Sequence, residues 1–208
     1  MKHLFYKGDL DQPTLILLHG TGGDETSMLS IAKRLNPHAS VLSLRGDVNE
    51  NGALRFFQRL SEGQYDVVDL EKRRERLRIF LEEAAQSYQF KLDEAVLVGF
   101  SNGANMAIAL LLEDDSLLKI GVLMAPMYAI DTSHLRQKKA KTRVFLSLGS
   151  ADPIVPLDES YKVISEFEKR DAVLQVYWVR GHEVTAASLE AAKKWLASQM
   201  LVMRSDDG

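Results

Sequence analysis

Two short segments of the chain are apolar at every position: LILL at 15–18 and VLV at 96–98. A strand that faces water on one side alternates apolar and polar residues, whereas a strand that is apolar throughout must be buried on both faces. Such strands are typical of a parallel sheet that is covered by helices on both sides. The two segments therefore predict an α/β fold, and they disfavour a β-sandwich or a helical bundle.

Strand-like and helix-like segments alternate along the whole chain, as expected for a doubly wound, mostly parallel sheet of about seven strands. The predicted strands cover residues 3–6, 14–18, 41–44, 95–98, 121–124, 143–148 and 174–179. The predicted helices cover residues 24–35, 70–88, 102–112, 157–169 and 184–200. No linker or internal repeat interrupts this alternation, and 208 residues suit one domain, so we expect a single domain over 1–208.

Composition excludes several classes of function. The chain has 26 basic and 29 acidic residues and a net charge of −3, so it has no electrostatic reason to bind nucleic acid or an anionic membrane. It has no cysteine, which excludes disulfides, thiolate nucleophiles and Cys-ligated metals. No histidines have the spacing of a zinc site, and no apolar run has the length of a membrane span. We expect a cytoplasmic protein without a metal.

The most informative motif is GFSNG at 99–103, which lies between a predicted strand and a predicted helix. This arrangement is a nucleophile elbow, in which Ser101 occupies a tight, strained turn with its hydroxyl exposed above the sheet. Side chains at positions 99 and 103 are expected to collide with neighbouring backbone in such a turn, which explains the two glycines. The helix that follows directs its N-terminus towards Ser101 and favours negative charge there.

A serine hydroxyl needs a base, and the order Ser, Asp, His along the chain is the one that this elbow requires. Asp152 follows the strand at 143–148, and His182 follows the strand at 174–179. All three residues should lie beyond the carboxyl ends of parallel strands, where open α/β sheets bind ligands. Asp158 and Asp171 are weaker candidates for the acid, because neither stands in the first turn after a strand.

The glycine-rich loop at 20–23 fits an oxyanion hole best. A dinucleotide-binding motif would need glycine where Glu25 stands, and a P-loop would need a lysine that the loop lacks. Acyl transfer requires two N–H donors for the oxyanion. We predict that the backbone N–H groups of Thr21 and Asn102 supply them. His19, which opens this loop, is interpreted as structural.

These motifs resemble those of a known family, the small α/β-hydrolase carboxylesterases of the phospholipase/carboxylesterase group. The resemblance rests on HGTGGDE at 19–25, GFSNGAN at 99–105, GSADPIVP at 149–156 and GHE at 181–183. The segment LRGDVNENGALRFF at 44–57 is similar to the bacterial hydroquinone-resistance hydrolases within that group. The resemblance implies an α/β-hydrolase fold and an esterase or thioesterase with nucleophile Ser101, acid Asp152, base His182 and an oxyanion hole of Thr21 and Asn102. Dimers are usual among such proteins, so a homodimer is one candidate state, although no apolar stripe marks an interface.

The substrate pocket is predicted to be open. Lids in this fold commonly follow the sixth strand, but only about eighteen positions separate Met124 from Arg143, which is too short for a lid domain. Candidates for the pocket walls are Arg45, Phe56, Phe57, Met127 and Tyr128. Arg45 could bind a substrate carboxylate, or it could pair with a nearby acidic residue.

The predicted function is a serine hydrolase that cleaves small carboxylic esters through an acyl-enzyme, with no metal or organic cofactor. Besides a peroxidase-like side activity of the same triad, two alternatives stay open. The same residues could cleave thioesters, or the chain could be a non-catalytic sensor of a small ligand that uses a hydrolase fold.

Overall fold

The structure, a computed structural model, describes residues 1–61, 63–128 and 130–206, with side chains up to 201. Its strands are β1 His3–Tyr6, β2 Thr14–Leu18, β3 Ser40–Leu44, β4 Val48–Glu50, β5 Ala53–Arg55, β6 Arg59–Ser61, β7 Gln64–Tyr65, β8 Val96–Phe100, β9 Ile120–Met124, β10 Arg143–Gly149 and β11 Val173–Val179. Its α-helices are α1 Leu29–Leu35, α2 Val67–Tyr88, α3 Asn102–Leu112, α4 Leu157–Glu168 and α5 Ala186–Asp206. A short 3₁₀ helix covers Leu92–Glu94.

Seven of these strands form one sheet in the order β1-β3-β2-β8-β9-β10-β11. The pairs from β3 to β11 are parallel, and β1 alone runs antiparallel to its neighbour. The predicted doubly wound, mostly parallel sheet is therefore confirmed. Strand β8 lies in the middle of this order, so the residue that follows it stands at the centre of the carboxyl edge.

The sheet separates two apolar cores, and alternate residues of each strand enter opposite ones. In β2, Ile16 and Leu18 pack with the residues of α2, α3 and α4, whereas Leu15 and Leu17 pack with those of α1 and α5. All four side chains are at most 1 % exposed. Helix α3 is buried along its whole length, which explains why it is apolar nearly all round.

Helix boundaries differ from the predictions where a side chain caps the backbone. The first helix begins at Leu29 rather than at residue 24, because the Asp24 carboxylate accepts hydrogen bonds from the Thr26 N–H and hydroxyl and from the Ser27 hydroxyl. Such local bonds compete with helix formation. Helix α2 begins earlier than predicted, because the Asp66 side chain caps it by accepting from the Asp69 N–H.

Two small antiparallel hairpins, β4–β5 and β6–β7, were absent from the predictions. The first turns at Asn51 and Gly52, whose φ angles are 52° and 93°. Asn-Gly favours this left-handed conformation and is a strong hairpin signal. Between β9 and β10 the described residues form no helix or strand. Within the part of the chain that the structure describes, no helix combines the length and the apolar character needed to cross a membrane.

Candidate active site

Ser101 stands in a strained turn between β8 and α3. Its φ is 50° and its ψ is −117°, a left-handed conformation that a residue with a side chain rarely adopts. The two glycines are explained by close approaches: an added Cβ would lie 2.6 Å from the Cα of Ala104 at Gly99, and 2.0 Å from the carbonyl oxygen of Leu18 at Gly103. The close approaches of backbone expected from the sequence are therefore present. They hold the turn against β2 and leave the Ser101 hydroxyl free of the sheet.

Ser101, His182 and Asp152 form one hydrogen-bonded chain. The Ser101 Oγ lies 3.0 Å from His182 Nε2, and His182 Nδ1 lies 2.8 Å from Asp152 Oδ2. The Asp152 side chain is completely buried, and that of His182 is 12 % exposed. Ser101 follows β8, Asp152 follows β10 and His182 follows β11. The parallel sheet therefore brings His182 next to Ser101, 81 positions away, and next to Asp152, 30 positions away.

Asp152 is fixed on both of its oxygens. Oδ1 accepts from the backbone N–H groups of Ile154 (2.7 Å) and Val155 (3.0 Å), which leaves Oδ2 directed at the imidazole. The two weaker candidates for the acid lie elsewhere. Asp158 is exposed and pairs with a lysine of its own helix, and Asp171 pairs with Lys138.

Thr21 and Asn102 both line the cavity at Ser101, and the backbone N–H group of each is the candidate oxyanion donor. No described residue accepts a hydrogen bond from either group, whereas the neighbouring Gly22 N–H is used by the Leu54 carbonyl and the Asn105 N–H by the Ser101 carbonyl. A tetrahedral oxyanion requires two such unpaired donors. Their placement agrees with the oxyanion hole predicted from the sequence.

The β4–β5 hairpin supports both donors from behind. Arg55 Nη1 donates to the Thr21 hydroxyl over 2.7 Å, and the Asn102 side-chain oxygen accepts from the Phe56 N–H over 2.7 Å. The Gly22 N–H donates to Leu54 of the same hairpin. One element therefore fixes the loop after β2 and the first residue of α3 relative to each other. This role was missed in the sequence, because the hairpin itself was missed.

His19 is buried behind the glycine-rich loop and makes no hydrogen bond to Ser101, His182 or Asp152. Its Nε2 accepts from the Gly46 N–H (3.0 Å), so Nδ1 carries the proton and donates to the Gly20 carbonyl (2.7 Å). Burial lowers the pKa of His19 below its ordinary value, and a second proton would also face the Gly46 donor. The interpretation of His19 as structural agrees with these contacts.

This lowered pKa predicts a loss of stability in acid. Below about pH 6.5 the unfolded chain binds a proton at His19, whereas the folded chain binds it only at a lower pH. The free energy of unfolding therefore falls by up to ~1.4 kcal/mol for each unit by which the pH is lowered. In His19→Gln the amide oxygen can replace the Nε2 acceptor. Between about pH 6.5 and 5, the slope of the free energy of unfolding against pH should be shallower in this variant, by an amount that corresponds to at most one bound proton. Urea unfolding at several pH values measures both slopes. The exposed His134→Gln serves as control, and equal slopes in His19→Gln and the wild type would contradict the prediction.

The cavity at Ser101 has a volume of about 290 Å³ and is open to solvent. Met127 lines it, as predicted. Its backbone N–H donates to the Asn105 side chain, and Tyr65 donates from its hydroxyl to the Met127 carbonyl. Burial raises the pKa of Tyr65, which therefore stays a neutral donor.

Four of the five predicted pocket residues lie outside the described residues that line the cavity, namely Arg45, Phe56, Phe57 and Tyr128, which corrects the prediction. Phe56 and Tyr128 are buried in the larger core. Arg45 forms an ion pair with the buried Glu25 through Nε and Nη2, outside the residues that line the cavity. Phe57 is fully buried in the larger core. The arginines that do line the cavity are Arg55 and Arg59, which the sequence interpretation passed over. Within the described ranges, no three acidic or histidine side chains are grouped closely enough to hold a metal ion.

Fold and site geometry together define an α/β-hydrolase with a serine at its nucleophile elbow. The chain belongs to the phospholipase/carboxylesterase family, whose sequence profile matches residues 4–200. It is therefore an esterase-type hydrolase, as its resemblance to this family predicted.

Individual relatives agree with this assignment. The hydrolase MhqD of Bacillus subtilis is 41 % identical over 196 residues, which cover 94 % of this chain and 97 % of MhqD. The crystal structure of a Bacillus cereus carboxylesterase has a TM-score of 0.91 and 42 % identity, and the match covers 95 % of this chain and 94 % of that one. YahD, solved with malic acid, has a TM-score of 0.90 and 28 % identity over 95 % of this chain and 98 % of its own.

Proposed function

We propose that the chain is a serine carboxylesterase that cleaves small carboxylic esters through an acyl-enzyme. The observation that carries the proposal is the hydrogen-bonded chain from the Ser101 hydroxyl through His182 to the buried Asp152, at the wall of an open cavity. The enzyme works as a single domain on a small-molecule ester, and no step requires a metal or an organic cofactor.

Acylation begins when Ser101 Oγ attacks the ester carbonyl and His182 Nε2 takes the hydroxyl proton. The Asp152 carboxylate holds the imidazole in the tautomer with hydrogen on Nδ1 and stabilises the cation that forms. Negative charge develops on the carbonyl oxygen, where the N–H groups of Thr21 and Asn102 and the N-terminus of α3 stabilise it.

The tetrahedral intermediate collapses when His182 returns the proton to the departing alcohol. A water molecule then enters at the position of the alcohol, gives its proton to His182 and attacks the acyl-enzyme. The second collapse releases the acid and restores the Ser101 hydroxyl. Because the described residues leave the cavity open to solvent, short acyl chains or small aromatic esters are the substrates that we expect.

Two other functions share this site. A thioester carbonyl would react by the same steps, so thioesterase activity differs from the proposal only in the leaving group. A ligand sensor is a different class of protein, but binding alone needs neither a base aligned with the serine nor a buried carboxylate behind that base. The aligned base therefore favours an enzyme.

Labelling by a fluorophosphonate separates an enzyme from a sensor. We expect the folded protein to be labelled stoichiometrically at Ser101, because the reagent requires a serine that an adjacent base activates. Peptide mass mapping gives the modified residue, and heat-denatured protein is the control. A folded protein that stays unlabelled would favour the sensor.

A further inference from the structure

Two charged side chains line the cavity at Ser101 outside the proposed triad, and both are arginines. Arg55 and Arg59 lie on the same wall, beside Thr21 and Tyr65. No acidic side chain of the described residues lines this cavity. A cationic wall is unexpected in a chain with a net charge of −3, and a neutral ester has no use for it.

Arg55 has a structural role. Its side chain is 5 % exposed, and its guanidinium donates to the Thr21 hydroxyl and, from Nε, to the Phe57 carbonyl over 3.3 Å. These bonds hold the loop that carries one oxyanion donor. Arg55 therefore contributes its charge to the cavity, while its donors are largely engaged by the protein.

Arg59 is differently placed. Its Nε donates to Glu50 over 2.9 Å, and its side chain is 32 % exposed. Within the described part of the chain, nothing accepts from its two Nη groups. A guanidinium anchored at Nε presents the remaining donors in a fixed, planar arrangement, which matches the two oxygens of a carboxylate.

The local charge is not balanced by the described residues. Glu50 is the one described carboxylate that pairs with either arginine, 3.6 Å from Arg55 and 2.9 Å from Arg59. Glu159, near Tyr65, is itself paired with Lys162. Burial and the nearby Arg59 charge lower the pKa of Arg55, and an anion at this wall would stabilise the charged form of Arg55 against both effects.

We propose that Arg59 binds a carboxylate of the substrate, so that the preferred esters carry a free carboxylate in addition to the ester group. This inference rests on the proposed esterase function and gives it a substrate class. Arg59 acts in specificity and takes no part in bond making, and Arg55 positions Thr21 and adds to the positive potential.

Two pairs of esters test the proposal and differ in which side of the ester carries the charge. In the first pair, p-nitrophenyl hydrogen adipate is compared with its methyl ester, so the carboxylate is on the acyl chain. In the second, p-acetoxybenzoate is compared with its methyl ester, so the carboxylate is on the leaving group. We expect the wild type to prefer the charged member of at least one pair.

In Arg59→Gln we expect kcat/KM for the preferred charged ester to fall about 10–100-fold, as is typical for the loss of a hydrogen bond to a charged group. The loss should appear in KM, because the contact is made equally in the ground state and the transition state. The neutral ester should change less than about twofold, since it makes no such contact. Arg76→Gln, which removes an equal charge from an exposed position on α2, should change neither ester.

The outcomes separate the two proposals. If Ser101 is labelled and neutral esters are cleaved, but neither charged ester is preferred or the preference survives in Arg59→Gln, the carboxylate site is overturned and the esterase stands. If Ser101 is unlabelled and no ester is cleaved, the proposed function fails, and the carboxylate site fails with it. A melting temperature that is unchanged in Arg59→Gln shows that the loss does not come from unfolding.

Discussion

Replacing Ser101 with alanine is expected to lower kcat for p-nitrophenyl acetate by up to ~10⁶-fold, because the residues of a triad act as a unit and the other two have no nucleophile to serve. The oxyanion donors and the cavity remain, so a small residual rate over water should persist. A stopped assay with freshly purified protein measures the loss.

The control for this variant is Ser30→Ala, which changes an exposed serine on α1, away from the cavity. It should retain full activity. Both variants should unfold near the wild-type temperature, since Ser101 contributes one hydrogen bond and stands in a strained turn that alanine must adopt as well. A kcat of Ser101→Ala close to that of the wild type would contradict the assignment of the nucleophile.

The residues of the proposed triad could be predicted from the sequence because each of them has a local signal. Glycines 99 and 103 flank Ser101 between a strand and a helix, and Asp152 and His182 each follow an apolar strand. In a parallel sheet all carboxyl ends meet at one edge, so local positions become spatial neighbours without any knowledge of side-chain contacts. The hydrogen bonds that His182 makes to Ser101 and Asp152 agree with this expectation.

The cationic wall could not be predicted in the same way. Arg45 directly follows β3 at the carboxyl edge, but its guanidinium is ion-paired with the buried Glu25. Arg55 reaches the cavity because the β4–β5 hairpin folds back over the loop after β2, and Arg59 on β6 is joined to that hairpin through Glu50. That packing is tertiary, and no periodic pattern encodes it. The Asn51-Gly52 pair did signal the turn, so the hairpin could have been found although its docking could not.

Three backbone groups in or directly beside the hairpin are hydrogen-bonded to elements around the site. The Gly46 N–H is bonded to His19, the Phe56 N–H to Asn102, and the Leu54 carbonyl to Gly22. Each bond joins the hairpin to an element that carries part of the site. Because buried backbone groups must be paired, these bonds tie the oxyanion loop to the hairpin, and mutations in it should alter activity without touching the triad.

Replacing Asp152 with asparagine is expected to lower kcat on the order of 10⁴-fold, although the two side chains have nearly the same shape. Oδ1 accepts from the Ile154 and Val155 N–H groups, so the asparagine oxygen keeps this position and the amide NH₂ faces His182. The imidazole must then accept at Nδ1 and carry its proton on Nε2. In that tautomer it donates to Ser101 and cannot take the hydroxyl proton.

The matched control is Asp158→Asn, because Asp158 is the nearest alternative acid in the sequence and is exposed with a lysine partner. Its kcat should stay within about twofold of wild type. Both variants should be labelled and assayed in parallel, and Asp152→Asn should react with fluorophosphonate far more slowly than wild type. A larger loss in Asp158→Asn than in Asp152→Asn would mean that the carboxylate behind the imidazole in solution is not Asp152. The two backbone donors at Oδ1 make that outcome unexpected, since they fix the carboxylate in the one orientation that the imidazole requires.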